Sequence, residues 1–183
     1  MHMNNTLDFL VLHCTDTPEG KAFYKDDVIR WHTSPVAKGG RGWKTPGYSD
    51  MIYLDGSLVN LVPFNTDDTV DPWELTNGVK GLNARARHLV YVGGSDNKTR
   101  KPKDTRTSAQ RYALEIVVKE AVLRHPRILV MGHYQAPSAA GKACPSFEVP
   151  AWLRSIGIPE SNIFKSMNQA LATINSSLDN QEA

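Results

Sequence analysis

Runs of apolar residues alternate with polar segments along the chain and predict buried strands. Three short aliphatic runs, at residues 9–14 (FLVLHC), 88–94 (HLVYVGG) and 127–133 (RILVMGH), are typical of strands buried on both faces. Two alternating runs flank Asp55 and Gly56, a dipeptide that favours the tight turn of a β-hairpin. The pattern therefore predicts a sheet of buried strands with one hairpin.

Three other segments have helical patterns. The spacing of the apolar positions over residues 25–33 predicts a short amphipathic helix with Asp26 as its cap. The strongest pattern runs from Ser108 to Arg124, where Thr107 and Gln110 are spaced as a capping box. Its predicted apolar face consists of Ala113, Ile116, Val117, Ala121 and Val122. Residues 149–158 predict a further short helix.

Strands interspersed with helices indicate the fold class. We expect an α/β single domain in which a central mixed β-sheet is flanked by α-helices. Residues 63–87 lack a regular period and contain several prolines and glycines, so we interpret them as a long loop that lines a site.

Charge and cysteine content narrow the function classes. The chain has 183 residues, and its 21 basic and 19 acidic residues leave a formal charge of +2, so no nucleic-acid partner is expected. A basic cluster within residues 98–106 is interpreted as an exposed, solvated loop. Two cysteines do not define a disulfide framework, which makes a free thiol or a metal ligand the better interpretation of Cys144.

The amino-terminal segment lacks the pattern of a signal peptide. Its apolar run of five residues follows an aspartate and lacks a positively charged lead, and no apolar stretch approaches the length of a membrane span. We therefore expect synthesis in the cytoplasm without a signal peptide, and no membrane partner.

Two histidines end predicted strands and suggest chemistry. His13 and His133 would lie at the carboxyl ends of strands, where ligands collect in open α/β sheets. With Cys144 they would form the three-ligand set of a catalytic zinc site. Strand-end histidines and lone cysteines are, however, more often packing residues, so the pattern alone leaves both interpretations open.

Alternation of side chains relates the neighbours of these residues. In an extended segment Lys142 and Cys144 would face one cavity while Ala143 faces away. A cation there would lower the thiol pKa and stabilise negative charge on a substrate. By the same alternation Cys14 faces away from His13, and we assign it to the core. His2, in a frayed terminus, and His125, at the end of an exposed helix, are poor ligand candidates.

The ordered motifs carry a family resemblance. The series VLHCTDT, VIRWH, PGYSDMIYLDGSLV, LVYVGG, MGHYQAP and GKACPSF resembles the zinc-dependent N-acetylmuramoyl-L-alanine amidases (amidase type 2) of the bacteriophage T7 lysozyme and peptidoglycan-recognition-protein type. The resemblance implies the fold of T7 lysozyme and the peptidoglycan recognition proteins. It places an amidase catalytic domain at residues 7–158, followed by a polar, partly helical tail at 159–183. It implies that His13, His133 and Cys144 bind Zn²⁺, and that Tyr48 and Lys142 are catalytic residues that do not bind the metal.

The same resemblance implies a reaction and a partner. The reaction is hydrolysis of the amide between N-acetylmuramic acid and L-alanine of the stem peptide, as in endolysin-type cell-wall lysis or remodelling. The partners are peptidoglycan and muropeptides on the periplasmic or extracellular side, and the chain is expected to be a monomer. The alternatives are a non-catalytic peptidoglycan-binding module and a polymerase-binding regulator of the T7 lysozyme type.

The chain departs from the family pattern at three positions. Relatives usually have a histidine after the hairpin tyrosine and another before Lys-Gly, where this chain has Ser49 and Gly78. The glutamate of cytosolic recycling amidases is matched by Val90, which favours a scheme based on Tyr48 and Lys142. Trp31 and His32 match a helix motif of the family that is consistent with core packing or with lining the groove.

Overall fold

A mixed five-stranded sheet forms the centre of the protein. The computed structural model describes residues 5–170 and residue 172. The strands of the described residues are β1 (Phe9–Cys14), β2 (Thr17–Pro18), β3 (Asp50–Ile52), β4 (Leu58–Asn60), β5 (Ala86–Tyr91), β6 (Gly94–Ser95) and β7 (Leu129–Gly132). The main sheet has the order β4-β3-β5-β1-β7, and β2 and β6 form a separate parallel pair. Within the main sheet, β3 and β4 are antiparallel and the other pairs are parallel, so the predicted hairpin and buried strands are confirmed.

The predicted helices are also present. They are α1 (Lys25–Thr33), α2 (Ser108–Arg124) and α3 (Val149–Ser155). Thr107 Oγ1 accepts a hydrogen bond from the Gln110 backbone N–H at 3.0 Å, and Gln110 Oε1 accepts one from the Thr107 backbone N–H at 3.0 Å. This capping box satisfies two of the amides that a helix leaves unpaired at its start. The prediction that Asp26 caps α1 is wrong, because the helix begins at Lys25 with Tyr24 as its N-cap, and Asp27 accepts the Tyr24 backbone N–H.

Four of the five residues predicted to form the apolar face of α2 pack against the core, namely Ala113, Val117, Ala121 and Val122, but the most deeply buried side chains of the helix are others. Leu114 and Val118 are buried, whereas Ile116, which was predicted to be buried, is 46% exposed. Gln110 is fully buried and its Nε2 donates to the backbone oxygen of Val92 at 2.9 Å. This polar attachment to the sheet sets the rotation of α2 about its axis, and apolar periodicity alone does not reveal it.

Helices pack against both faces of the main sheet. Leu12 and Cys14 pack with Leu114 of α2 and Leu153 of α3 in one core cluster. On the opposite face of the sheet, Val28 of α1 packs with Met51, Val90 and Val92. Helices therefore cover both faces of the sheet, which confirms the predicted fold class. Cys14 is 3% exposed, as its assignment to the core requires.

The described part of segment 159–183 packs against the sheet. Ile163 forms an isolated parallel bridge with Val130 and is fully buried. Phe164 packs edge-on against Phe9, with ring centroids 6.2 Å apart, and Ala170 is buried in the same cluster. Residue 171 and residues 173–183 of the predicted tail lie outside the described residues, as does His2. Among the described helices, none is both long and apolar enough to cross a bilayer.

Two side chains predicted to be exposed are buried. Arg106 was placed in the solvated basic loop, but its guanidinium carbon lies 3.3 Å from the centroid of the Phe147 ring and it forms a bidentate pair with Asp104. His125 is 6% exposed, and its Nδ1 lies 2.6 Å from Asp68 Oδ1. Ion pairing with Asp104 and stacking on Phe147 allow Arg106 to be buried, and the contact with Asp68 provides a polar partner for the buried His125 ring.

Candidate metal centre

The register of two parallel strands brings two histidines together. Strands β1 and β7 pair Leu12 with Gly132, and the next residue in each chain segment is a histidine. The ring centroids of His13 and His133 are 4.6 Å apart. Their proximity at the carboxyl edge of the sheet follows from strand pairing, as the sequence analysis anticipated.

Cys144 reaches the same point from the connection that follows β7. Its Sγ lies 3.8 Å from His13 Nδ1 and accepts a hydrogen bond from the Cys14 backbone N–H at 3.2 Å. The potential ligand atoms of His13, His133 and Cys144 all lie within 4.8 Å of one another. Two imidazole nitrogens and one thiolate are donors that zinc prefers, and tetrahedral bonds of about 2.0–2.3 Å require a comparably close cluster. Both cysteines are free, so no disulfide competes for Cys144.

The segment that carries Cys144 is built from turns. Short 3-10 turns at His133–Gln135 and Pro137–Ala139 are followed by further turns to residue 147. Tyr91 Oη donates to the Pro145 backbone oxygen at 2.7 Å, and the Tyr134 backbone N–H donates to the Cys144 backbone oxygen at 2.9 Å. These two bonds anchor the backbone at Cys144 and at the residue that follows it.

The predicted alternation along this segment is only partly observed. Lys142 and Cys144 both line the cleft above the cluster, as expected, but Ala143 lines it as well. No strand is assigned to residues 141–147, so the alternation of an extended strand does not separate Ala143 from its two neighbours.

A cleft of about 470 Å³ opens over the histidines. Its lining includes Tyr48 and Lys142, together with Trp31, His32, Arg41 and Trp43. The ring centroid of Tyr48 is 5.0 Å from that of His13. Burial, with a smaller contribution from Cys144, raises the pKa of Tyr48 well above its ordinary value. The phenol is therefore protonated at neutral pH and can donate a hydrogen bond into the cleft.

Burial also keeps the two clustered histidines neutral. It lowers the pKa of His133 to about 4, with the Lys142 charge acting in the same direction. Burial lowers the pKa of His13 as well, reinforced by the neighbouring His88 and His133. Neutral imidazoles are the form that binds metals. A hydrogen bond with the Cys14 thiol, followed by burial, raises the pKa of Cys144, so the metal-free chain holds a neutral thiol there.

His88 is a component of the site that sequence reasoning missed. Its imidazole is fully buried, and its Nδ1 lies 3.0 Å from His13 Nε2. The parallel register pairs Val11 with His88, which places His88 on the same face of the sheet as His13. The signal in the sequence was a single polar residue at the start of an otherwise apolar, buried strand.

His32 contacts Tyr48, one of the two candidate catalytic residues, and is not part of the metal cluster. Its Nδ1 accepts the Gly47 backbone N–H at 3.1 Å, and its ring packs against Tyr48 with centroids 5.2 Å apart. Burial, aided by the charge of Arg41, lowers its pKa to about 4. His32 thus supports the position of Tyr48 and of the backbone that precedes it.

The chain is similar in sequence to phage endolysins. The chain is 29% identical over 150 residues to the endolysin of Enterobacteria phage K11, an alignment that covers 82% of this chain and 87% of that protein. No protein-family model matches the chain.

Among solved structures, the N-acetylmuramoyl-L-alanine amidase LysC from Clostridium intestinale URNW superposes with a TM-score of 0.59 at 18% identity, covering 85% of this chain and 89% of that one. Bumblebee PGRP-SA superposes with a TM-score of 0.59 at 14% identity, covering 88% of this chain and 86% of that one. These likenesses show the fold.

Proposed function

We infer that this chain belongs to the zinc-dependent N-acetylmuramoyl-L-alanine amidases (amidase type 2) and hydrolyses the amide between N-acetylmuramic acid and L-alanine of the peptidoglycan stem peptide. The kinship with phage endolysins and the amidase fold support this function over most of the chain. One observation carries the assignment: His133 and Cys144 line a cleft that also holds Tyr48 and Lys142, and the buried His13 completes a cluster with them whose ligand atoms lie within 4.8 Å of one another.

The donor set fits a catalytic zinc site. Three protein ligands leave a fourth tetrahedral position for water or substrate, whereas structural zinc sites usually have four protein ligands. The Cys14 backbone N–H directed at Cys144 Sγ stabilises a thiolate, the form in which a cysteine binds zinc. When bound, Zn²⁺ would supply a Lewis acid that polarises the scissile carbonyl and lowers the pKa of a water molecule.

Lys142 is suited to stabilise the negative charge that develops on the carbonyl oxygen. It lines the cleft two residues before Cys144, and its charge is close enough to lower the pKa of His133. An ammonium group beside a developing oxyanion contributes more to the transition state than to the ground state, which is the condition for raising kcat.

Tyr48 acts as a hydrogen-bond donor in this proposal. Because its phenol is protonated at neutral pH, it orients the substrate or the attacking water through its hydroxyl rather than removing a proton as a resident base. The contact with the His32 ring limits the rotation of its own ring.

The rest of the cleft suits a polymer that combines sugar and peptide. Trp31 and Trp43 contribute aromatic surface to the cleft, and Arg41, which lies over the Trp43 ring at 5.1 Å, adds a cation beside them. We propose residues 7–158 as the catalytic unit, a monomer acting on peptidoglycan at the periplasmic or extracellular side of the cell wall.

Mass spectrometry of products from purified muropeptides tests the function. Incubation with the zinc-loaded protein should yield free stem peptides with a new amino-terminal alanine, and a chelator should abolish this product. New reducing sugar ends would instead indicate a glycosidase, and an unchanged substrate bound by the protein would indicate a recognition module.

A further inference from the structure

We propose that His88 is a positioning residue that holds His13 in the tautomer and orientation needed to bind the metal. The inference rests on the proposed zinc site and adds to it a buried group that touches neither metal nor substrate. The atoms concerned are His13 Nε2 and His88 Nδ1, which lie 3.0 Å apart between two fully buried rings.

The orientation of the His13 ring distinguishes its two nitrogens. Nδ1 faces Cys144 Sγ at 3.8 Å, on the side of the ligand cluster, whereas Nε2 faces His88. Nδ1 can bind a cation only if it carries no proton, so the proton of the neutral His13 ring must be on Nε2. His88 Nδ1 then accepts a hydrogen bond from His13 Nε2–H, and this bond prevents the His13 ring from flipping.

This arrangement differs from the usual support of a metal-binding histidine. The second nitrogen of such a ring generally donates to a carboxylate, a backbone carbonyl or water. Here the acceptor is another neutral imidazole, whose own proton must then be on Nε2. That nitrogen is buried and has no hydrogen-bond partner among residues 5–170 and 172. An unpaired buried N–H destabilises the fold. We attribute its retention to the other nitrogen of the same ring, Nδ1, which accepts the hydrogen bond from His13.

The space around His88 is shaped by two departures from the family pattern. A Cβ atom on Gly78 would lie 2.3 Å from His88 Nδ1, so a side chain at position 78 is incompatible with this ring position. Ser49 Oγ accepts the His88 backbone N–H at 3.2 Å. Ser49 and Gly78 are the two positions at which the family resemblance leads one to expect histidines. The chain thus has one histidine on β5 whose ring lies against Gly78 and whose backbone N–H donates to Ser49.

Metal affinity in a set of single variants tests the role. His88→Leu removes the acceptor, and His88→Asn retains a polar atom near the position of Nδ1. His125→Leu applies the same substitution to a buried histidine bonded to Asp68 outside the site. Zinc dissociation constants are measured by competition with a chromogenic chelator, Co²⁺ spectra report ligand geometry, and thermal unfolding of the metal-free proteins reports stability.

We expect His88→Leu to weaken zinc binding by about 10–100-fold, the usual loss of metal affinity when the hydrogen-bond partner of a metal-binding histidine is removed. The Co²⁺ spectrum should also change, because the His13 ring is no longer held in one orientation. His88→Asn should recover most of the affinity, and His125→Leu should change stability with unchanged affinity. Zinc binding by His88→Leu equal to that of the natural sequence would overturn the inference while leaving the zinc site intact. Absence of zinc binding by the natural sequence would overturn both.

A second variant addresses folding failure of His88→Leu. Gly78→Ala should displace the His88 ring and weaken zinc binding, and this loss should be smaller when His88 is already replaced by alanine, because only the contact of the new Cβ with the Gly47 backbone oxygen, at 2.7 Å, then remains. An equal loss from Gly78→Ala with and without His88 would show that the glycine acts independently and would contradict the proposal.

Discussion

Nδ1 of His13 lies 3.8 Å from Sγ of Cys144, although the two residues are 131 positions apart in the chain. One belongs to a central strand and the other to a turn held by bonds from Tyr91 and Tyr134. The candidate metal centre therefore depends on the packed sheet, and substitutions that loosen the Cys144 turn should affect metal affinity as well as stability.

Replacement of Cys144 by alanine should abolish both zinc binding and amidase activity, because one of three ligands is lost. Zinc content after dialysis and turnover of muropeptides check this result. Cys14→Ala is the matched control: it should keep zinc and lose roughly 1–2 kcal/mol of stability, as expected for a truncated core side chain. Full zinc content and turnover in Cys144→Ala would contradict the ligand assignment.

Replacement of Tyr48 by phenylalanine should leave zinc binding unchanged and lower kcat by about 10²–10³-fold, the range measured when one donor to a developing charge is removed. The ring and its packing remain, so only the hydroxyl is tested. Tyr112→Phe, at a residue that is 69% exposed on α2, should have no effect on kcat. Unaltered kcat in Tyr48→Phe would exclude the proposed donor role.

Replacement of Lys142 by methionine should lower kcat by a similar factor of about 10²–10³ with zinc still bound, because the oxyanion loses its cationic partner. Steady-state kinetics on one muropeptide separate this effect from a change in KM. The same substitution at the exposed Lys101 should leave both constants unchanged. A rise in KM at constant kcat would assign Lys142 to substrate binding instead.

Replacement of Tyr91 by phenylalanine should weaken the turn that carries Cys144. The Pro145 backbone oxygen would lose its 2.7 Å bond inside the protein, which costs about 1–3 kcal/mol of unfolding free energy. Urea denaturation and chelator competition should both show a loss, in stability and in zinc affinity respectively. Unchanged zinc affinity in a destabilised variant would show that this bond does not position the ligand.

The metal-free protein should lose stability as the pH falls from about 6.5 towards 4. The folded-state pKa of His32 is about 4, below its ordinary value of 6.5, so the unfolded chain takes up the proton first. The stability that neutral His32 contributes is complete above pH 6.5 and is lost as the pH falls through this window. Urea midpoints at several pH values, with a chelator present, measure the slope.

His32→Asn offers a direct comparison for this slope. The asparagine oxygen can still accept the Gly47 backbone N–H but does not titrate, so the pH dependence should be shallower than in the natural sequence. It should not vanish, because burial also lowers the pKa values of His88 and His133. An equally steep slope in His32→Asn would assign the effect entirely to the other histidines.

Local signals in the sequence were sufficient for most of the secondary structure. The Thr107–Gln110 capping box, the Asp55-Gly56 hairpin and the aliphatic strands depend on neighbouring residues, so pattern and structure agree there. The rotation of α2 and the burial of Arg106 depend on Gln110, Asp104 and Phe147 contacts that local periodicity does not encode.

The sequence by itself determined the α/β class, the two strand-end histidines and, through the family resemblance, the five candidate site residues. Only the tertiary structure decided that the His13 ring contacts His88, that the Cys144 segment is built from turns, and that the Tyr48 ring packs against His13 and His32. These properties depend on strand register, on burial and on atoms brought together from distant parts of the chain. Pairing and desolvation arise only when the chain is packed, so residue order alone could not specify them.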